Sequence, residues 1–126
     1  MDISIDGLDA LKRAVARNPA KVRTETGKFI TKGMAAYNRG IIRNPWRVGQ
    51  SGGGAPVDTG NLRDTHSRSV STWEGRITPN APYAEAVHDR GRHPRPWLDF
   101  VKNQKDNEIR QLEQDLLANI TNDLAQ

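Results

Sequence analysis

An α+β fold is predicted by three features of the sequence. Apolar residues recur at helical spacing between residues 20 and 43, and again from about 96 to 124; between them, β-branched residues flank a turn signal at Glu74-Gly75. The predicted architecture is two N-terminal helices (one of them long), a small antiparallel β-sheet and a long C-terminal helix. The 126 residues read as a single domain with a flexible Gly-rich loop at 45–57.

Residues 2–5 alternate polar and apolar, with Ile3 and Ile5 on one face, and predict a short strand. Gly7 opens a short helix from Leu8 to about Arg17, with Leu8, Leu11 and Val15 on one side, and Asn18-Pro19 breaks it. The longer helix runs from about Ala20 to Arg43. Its apolar stripe is Val22, Ile30, Met34, Tyr37 and Ile41, flanked by Phe29, Gly33 and Ile42. Inside it Gly27, Gly33 and Gly40 each cost about 1 kcal/mol against Ala. They imply close approach by another backbone, or a kink. Asn44-Pro45 ends the helix.

Pro45, Gly49, the run Ser51-Gly52-Gly53-Gly54 and Pro56 read as loop, and consecutive glycines have no ordering tendency of their own. Asp58 or Thr59 can cap a helical turn from Gly60 to about Thr65. Residues 67–73 and 75–79 read as two strands, supported by Val70, Thr72, Ile77 and Thr78, with Pro79 and Pro82 closing the hairpin. Tyr83 to Val87 reads as a helical turn and His88 to Arg95 as an exposed, polar, basic loop. Pro96 suits a first helical turn, and one helix is expected from there to Leu124. Its core face is Trp97, Val101, Ile109, Leu112, Leu116, Ile120 and Leu124, with Phe100 and Leu117 beside it. Seven polar residues, Lys102 to Glu108, interrupt that stripe. The helix there either projects into solvent or meets another subunit.

Composition narrows the function. Leu, Ile, Val and Phe make up 25 of the 126 residues, near the lower bound for folded chains, so the core is thin and neighbouring subunits could complete it. There is no Cys, hence no disulfide scaffold, thiolate metal site or cysteine nucleophile. No apolar run approaches the roughly 20 residues that span a bilayer. The first residues have neither the basic nor the long apolar region of a signal peptide, so a cytosolic protein is expected. The formal net charge is +4 and the isoelectric point near 9.8. Residues 1–50 carry ten Lys/Arg against four Asp/Glu, and residues 96–126 carry three against six. This asymmetry suits a polyanionic partner, or head-to-tail contact between copies of the chain.

No enzyme is expected. No Ser–His–Asp arrangement can be nominated from spacing, and the Gly run lacks the Gly-Lys-Ser/Thr end of a phosphate-binding loop. His88, Asp89 and His93 could be imagined around a metal, but Arg90, Arg92 and Arg95 crowd the same loop. No metal and no cofactor is assigned. Lys21, Lys28, Lys32, Arg39 and Arg43 are spaced 7, 4, 7 and 4 along the long helix, on the side opposite the apolar stripe. Such a row could track phosphates without reading sequence, or could be an ordinary solvated face.

The stretch Ala55-Pro56-Val57-Asp58-Thr59-Gly60-Asn61-Leu62-Arg63-Asp64-Thr65 resembles a motif of the tail-completion, or head–tail joining, proteins of long-tailed bacteriophages and prophages. Their motif is Pro-Val-Asp-Thr-Gly-x-Leu-Arg-x-Ser/Thr after a long N-terminal helix. A strand pair follows it, then an Ala-Pro-Tyr-Ala segment, here Ala81-Pro82-Tyr83-Ala84, and then Pro-x-Arg-Pro-Phe/Trp-Leu, here Pro94-Arg95-Pro96-Trp97-Leu98. The family's Glu-Phe-Gly-Thr-like stretch is replaced by Ala86-Val87-His88-Asp89.

The resemblance implies a structural virion protein of the neck or upper tail, assembled in the bacterial host cytoplasm. It would form a closed, sixfold homo-oligomeric ring with heterologous interfaces. Its partners would be head connector or stopper proteins and tail tube or tail terminator proteins. Translocating DNA would meet it without specificity, and no membrane is involved. The candidate interface or fold residues are Val57, Asp58, Thr59, Gly60, Leu62, Tyr83, Pro94, Pro96 and Trp97. The alternative is a small basic phage-encoded DNA-binding or regulatory protein, which accounts for the charge but for none of the motifs.

Overall fold

The computed structural model describes residues 2–5, 19–47, 49–57, 61–71, 73–81, 83–90 and 94–124. The expected helix from Leu8 to Arg17 lies outside them, as do Asp58, Thr59, Gly60, Thr72, Pro82 and His93. The elements are β1 (Ile3–Ile5), α1 (Pro19–Ile42), α2 (Asn61–Asp64), β2 (His66–Val70), β3 (Gly75–Pro79), a π-helical turn (Ala86–Arg90), α3 (Trp97–Gln104) and α4 (Asp106–Leu124). This is the α+β arrangement of helices and a small antiparallel sheet that the sequence predicts.

The sheet order is β1-β3-β2, all antiparallel, with Ile3 opposite Ile77 and Arg68 opposite Ile77 from the other side. Because side chains alternate, Ile3, Ile5 and Ile77 turn inward together and are buried, whereas Ser4, Arg76 and Thr78 share the opposite face. On that outer face Arg76 bridges Asp2 at 3.0 Å and Glu74 at 2.9 Å, tying β1 to the β2–β3 turn. The second strand is shorter than expected. It ends at Val70, and Ser71 N–H donates to the Glu74 carbonyl at 2.7 Å to close the turn.

Helix α1 runs across the inner face. Val22, Ile30, Met34, Tyr37 and Ile41, its expected stripe, are all buried, while the flanking Ile42 is exposed. Two of its three glycines are close-approach points. A Cβ on Gly33 would lie 2.4 Å from Ile5 Cδ1, and one on Gly40 would lie 2.7 Å from Val101 Cγ1. Gly27 meets nothing within 4 Å.

The expected single C-terminal helix is two. It breaks at Lys105, within the polar run, although Lys105 N–H still donates to Val101 O and Ile109 N–H to Lys105 O. The reason is register. Eight residues separate Val101 from Ile109, which leaves them about 80° apart on an unbroken helix. The break lets α4 lay Ile109, Leu112, Leu116 and Ile120 against the core that α3 reaches through Trp97, Leu98 and Val101. Helix α4 is antiparallel to α1: Arg39 meets Glu108 near one end, and Asn119 meets Glu25 near the other.

The Gly-rich loop takes a packed course. Gly54 N–H donates to Asn44 O at 2.9 Å, Ala55 N–H to Ile41 O at 2.8 Å, and Trp46 N–H to Gly54 O at 3.2 Å. Gly53, Gly54 and Ala55 are buried. A Cβ on Gly54 would come within 2.5 Å of the Gly40, Ile41 and Arg43 carbonyl oxygens. These glycines let the loop lie on the end of α1, a role different from the looseness that the run suggests.

Candidate functional site

Trp97, in the third motif segment, is fully buried, and its ring contacts are His66, just after the first segment, and His88, shortly after the second. Its indole Nε1–H donates to His66 Nε2 at 3.0 Å. Because indole is donor only, His66 Nε2 must accept, so its proton sits on Nδ1, which donates to Arg63 O at 3.1 Å. Burial pulls the His66 pKa below the ordinary histidine value, opposed by the backbone bonds at Arg63 and Leu62. His88 also meets the indole, with ring centroids 4.9 Å apart and the planes near perpendicular. His88 Nδ1 pairs with the Asp89 carboxylate, while its Nε2 is buried without a hydrogen-bond partner among the described residues.

That placement corrects the expected exposed loop at His88–Arg95. The first part is a π-helical turn that brings His88 inward, and Arg95 N–H donates to Val87 O at 2.9 Å to hold the return. Among the described residues no group of three His, Asp or Glu is placed to hold a metal ion. Nor is any helix there long and apolar enough to cross a membrane.

The nominated motif residues divide by location. Leu62 and Trp97 are core anchors and Pro96 is half-buried. Val57, Tyr83 and Pro94 are exposed.

Lys21, Lys28, Lys32 and Arg39 follow one side of α1, with Arg43 just beyond its end, and that side also borders the seam with α4. Lys21 and Lys28 reach the same oxygen of Glu25, at 3.5 and 3.4 Å. Glu25 is buried, and burial raises its pKa, but Lys28 and Lys21 outweigh that and hold it below the ordinary carboxylate value. Lys32 lines the groove between α1 and α4 together with Asp115, and Arg39 pairs with Glu108. The acidic tail therefore neutralises part of the basic front within one chain.

Arg43, like Lys32, has no ion pair or hydrogen bond from its side chain among the described residues. It sits at a cleft of about 210 Å³ beside Arg39, Lys105, Asn44 and Phe100. No spacing or motif joins Lys105 or Phe100 to this end of α1. The available signal was Gly40, whose missing Cβ admits Val101 and brings the Lys105 stem to 3.4 Å from that position. No family model, curated protein or solved structure matches the chain.

Proposed function

We propose that the chain is a structural, non-enzymatic subunit of a phage neck or upper tail, needing no cofactor. Copies of it assemble into a ring that completes the tail and joins it to the DNA-filled head. The reading starts from the order of three motifs along the sequence. The observation that carries it furthest is how their residues divide between core and surface. Leu62, Ala81, Ala84, Trp97 and Leu98 point into the core, while Val57, Tyr83 and Pro94 are left at the surface. A recurrent motif in a ring-forming protein needs both kinds of residue: anchors that keep the fold and surface positions that meet neighbours. The neighbours in this reading are further copies, head connector or stopper proteins, and tail tube or terminator proteins, in a virion assembled in the host cytoplasm. The charge asymmetry contributes less support than its size suggests, because α1 and α4 partly satisfy it internally.

The test is negative-stain microscopy of a lysate from a phage or prophage that carries this gene, with the gene deleted. Filled heads beside separate tails, or tails of irregular length, support the proposal. Normal joined particles overturn it. The second reading, a small basic DNA-binding protein, draws on the cationic cleft at Arg43. Salt-sensitive binding of random duplex DNA by the isolated chain favours it, and stable rings formed without DNA oppose it.

A further inference from the structure

We propose that the cleft at the C-terminal end of α1 binds a nucleotide, with its phosphate between Arg39, Arg43 and Lys105 and its sugar and base in the trough beyond Phe100. The inference does not depend on the neck reading.

Charge is the first argument. Three cations, from the end of α1, the residue after it and the α3–α4 junction, line a cleft of about 210 Å³ with no carboxylate in its lining among the described residues. Among the described residues Glu108 offsets two of them, pairing with Arg39 and lying 3.8 Å from Lys105. Arg43 is left uncompensated among the described residues, so the site retains an excess of positive charge that a phosphate dianion or diester would satisfy.

The second argument is the chemistry next door. Asn44 and Phe100 also line a wider trough of about 630 Å³, whose other walls include Gln50 and Ser51. Among the described residues its lining has no charged side chain, only amides, a hydroxyl, glycine backbone and one phenyl ring. Neutral donors and acceptors around an aromatic ring suit a base and sugar, and that volume is of the size that small-ligand sites use. A second phosphate or an acidic side chain would find no counter-charge there. The phenyl ring that separates the compartments is held in place. Trp46 meets it edge-on at 5.7 Å, and Gly52 lies so close that a Cβ there would be 2.1 Å from Phe100 Cε2. A base must leave its stack to enter such a trough, so among nucleic acids a single strand fits and a closed duplex does not.

The experiment is fluorescence anisotropy of the full-length chain with a labelled twelve-residue thymidine oligonucleotide at low and moderate salt. Binding is expected. Arg43→Ala should weaken it about tenfold, the loss of one charge-assisted contact. Lys102→Ala removes the same charge from an exposed position outside the cleft and should leave binding near the parent value. Glu108→Gln should tighten binding several-fold by releasing Arg39 and Lys105. Phe100→Leu should weaken binding without changing its salt dependence. Competition with thymidine monophosphate identifies the source: full displacement at equal phosphate concentration points to a free nucleotide, and weak displacement to a strand. The proposal is overturned if Arg43→Ala and Lys102→Ala act alike, if Glu108→Gln does not tighten binding, or if a poly-glutamate peptide competes as well as the oligonucleotide. Circular dichroism of each variant separates loss of binding from loss of fold.

Discussion

Trp97 Nε1–H donates to His66 Nε2 at 3.0 Å, joining the start of α3 to the first residue of β2, 31 positions earlier. The bond requires a neutral imidazole, because a protonated ring has no acceptor. It also fixes the tautomer, since the Arg63 carbonyl takes the Nδ1 proton.

Folding stability should therefore fall as pH drops below 6.5. The folded-state pKa of His66 lies below the ordinary value, chiefly through burial. The unfolded chain takes up the proton first, so the contribution is intact above 6.5 and is lost as pH falls towards the folded value. Urea unfolding at pH 7.5, 6.5 and 5.5 reads it. His66→Gln should cost about 1 kcal/mol at pH 7.5 and should flatten the dependence across this range. An unchanged slope in the variant would remove His66 as its cause.

The glycines of α1 should separate by position. Gly27→Ala fills open space and should stabilise the chain by about 0.5–1 kcal/mol through helix propensity. Gly33→Ala pushes on Ile5, and Gly40→Ala on Val101. Each should destabilise by about 1–3 kcal/mol, the usual cost of overpacking. Thermal unfolding of the three variants in parallel gives the order, and equal effects would contradict the close approach seen at Gly33 and Gly40.

The sequence made α1 legible because its burial follows the 3.6-residue period: Val22, Ile30, Met34, Tyr37 and Ile41 suffice to place it. The break at Lys105 left no such mark. Hydrogen bonding continues through it and the seven residues around it are all polar, so no apolar position showed where the register changed. The basic row was legible as a row, but its electrostatic state was not. Glu108, the carboxylate that answers Arg39, is 69 residues away, and the Asn119 amide that meets Glu25, the counter-charge of Lys21 and Lys28, is 94 away. His66 and His88 escaped notice as a pair for the same reason. Only the fold brings both of them against Trp97.

Glu25 should act as the internal counter-charge of the row. It accepts from Lys28 and Asn119, and Lys21 lies at 3.5 Å. Its folded pKa lies below the ordinary value, so its contribution is present above pH 4.5 and is lost as pH falls through the folded value. The lysines are solvent-exposed, which limits the effect to about 1 kcal/mol at neutral pH. Glu25→Gln should show that loss in urea unfolding at pH 7, should narrow the gap to the parent near pH 3, and should be less sensitive to salt than the parent.

Tyr83 and Trp97 should fail in different ways. Both belong to the motifs on which the neck reading rests, yet Trp97 is fully buried and Tyr83 is 42% exposed. Trp97→Ala removes the indole that both imidazoles contact and should cost roughly 3–5 kcal/mol, enough to threaten a domain of ordinary stability. Tyr83→Ala removes mostly surface and should change unfolding by less than about 1 kcal/mol. If Tyr83 meets a neighbouring subunit, as the proposed ring requires, the variant should nevertheless impair particle assembly. That would appear as separated heads and tails in micrographs of a phage carrying the substitution, while the isolated variant melts like the parent. Aromatic side chains that are half exposed in the free subunit are the positions where interface energy concentrates. Intact particles from Tyr83→Ala together with a normal melting curve would move the interface away from this motif.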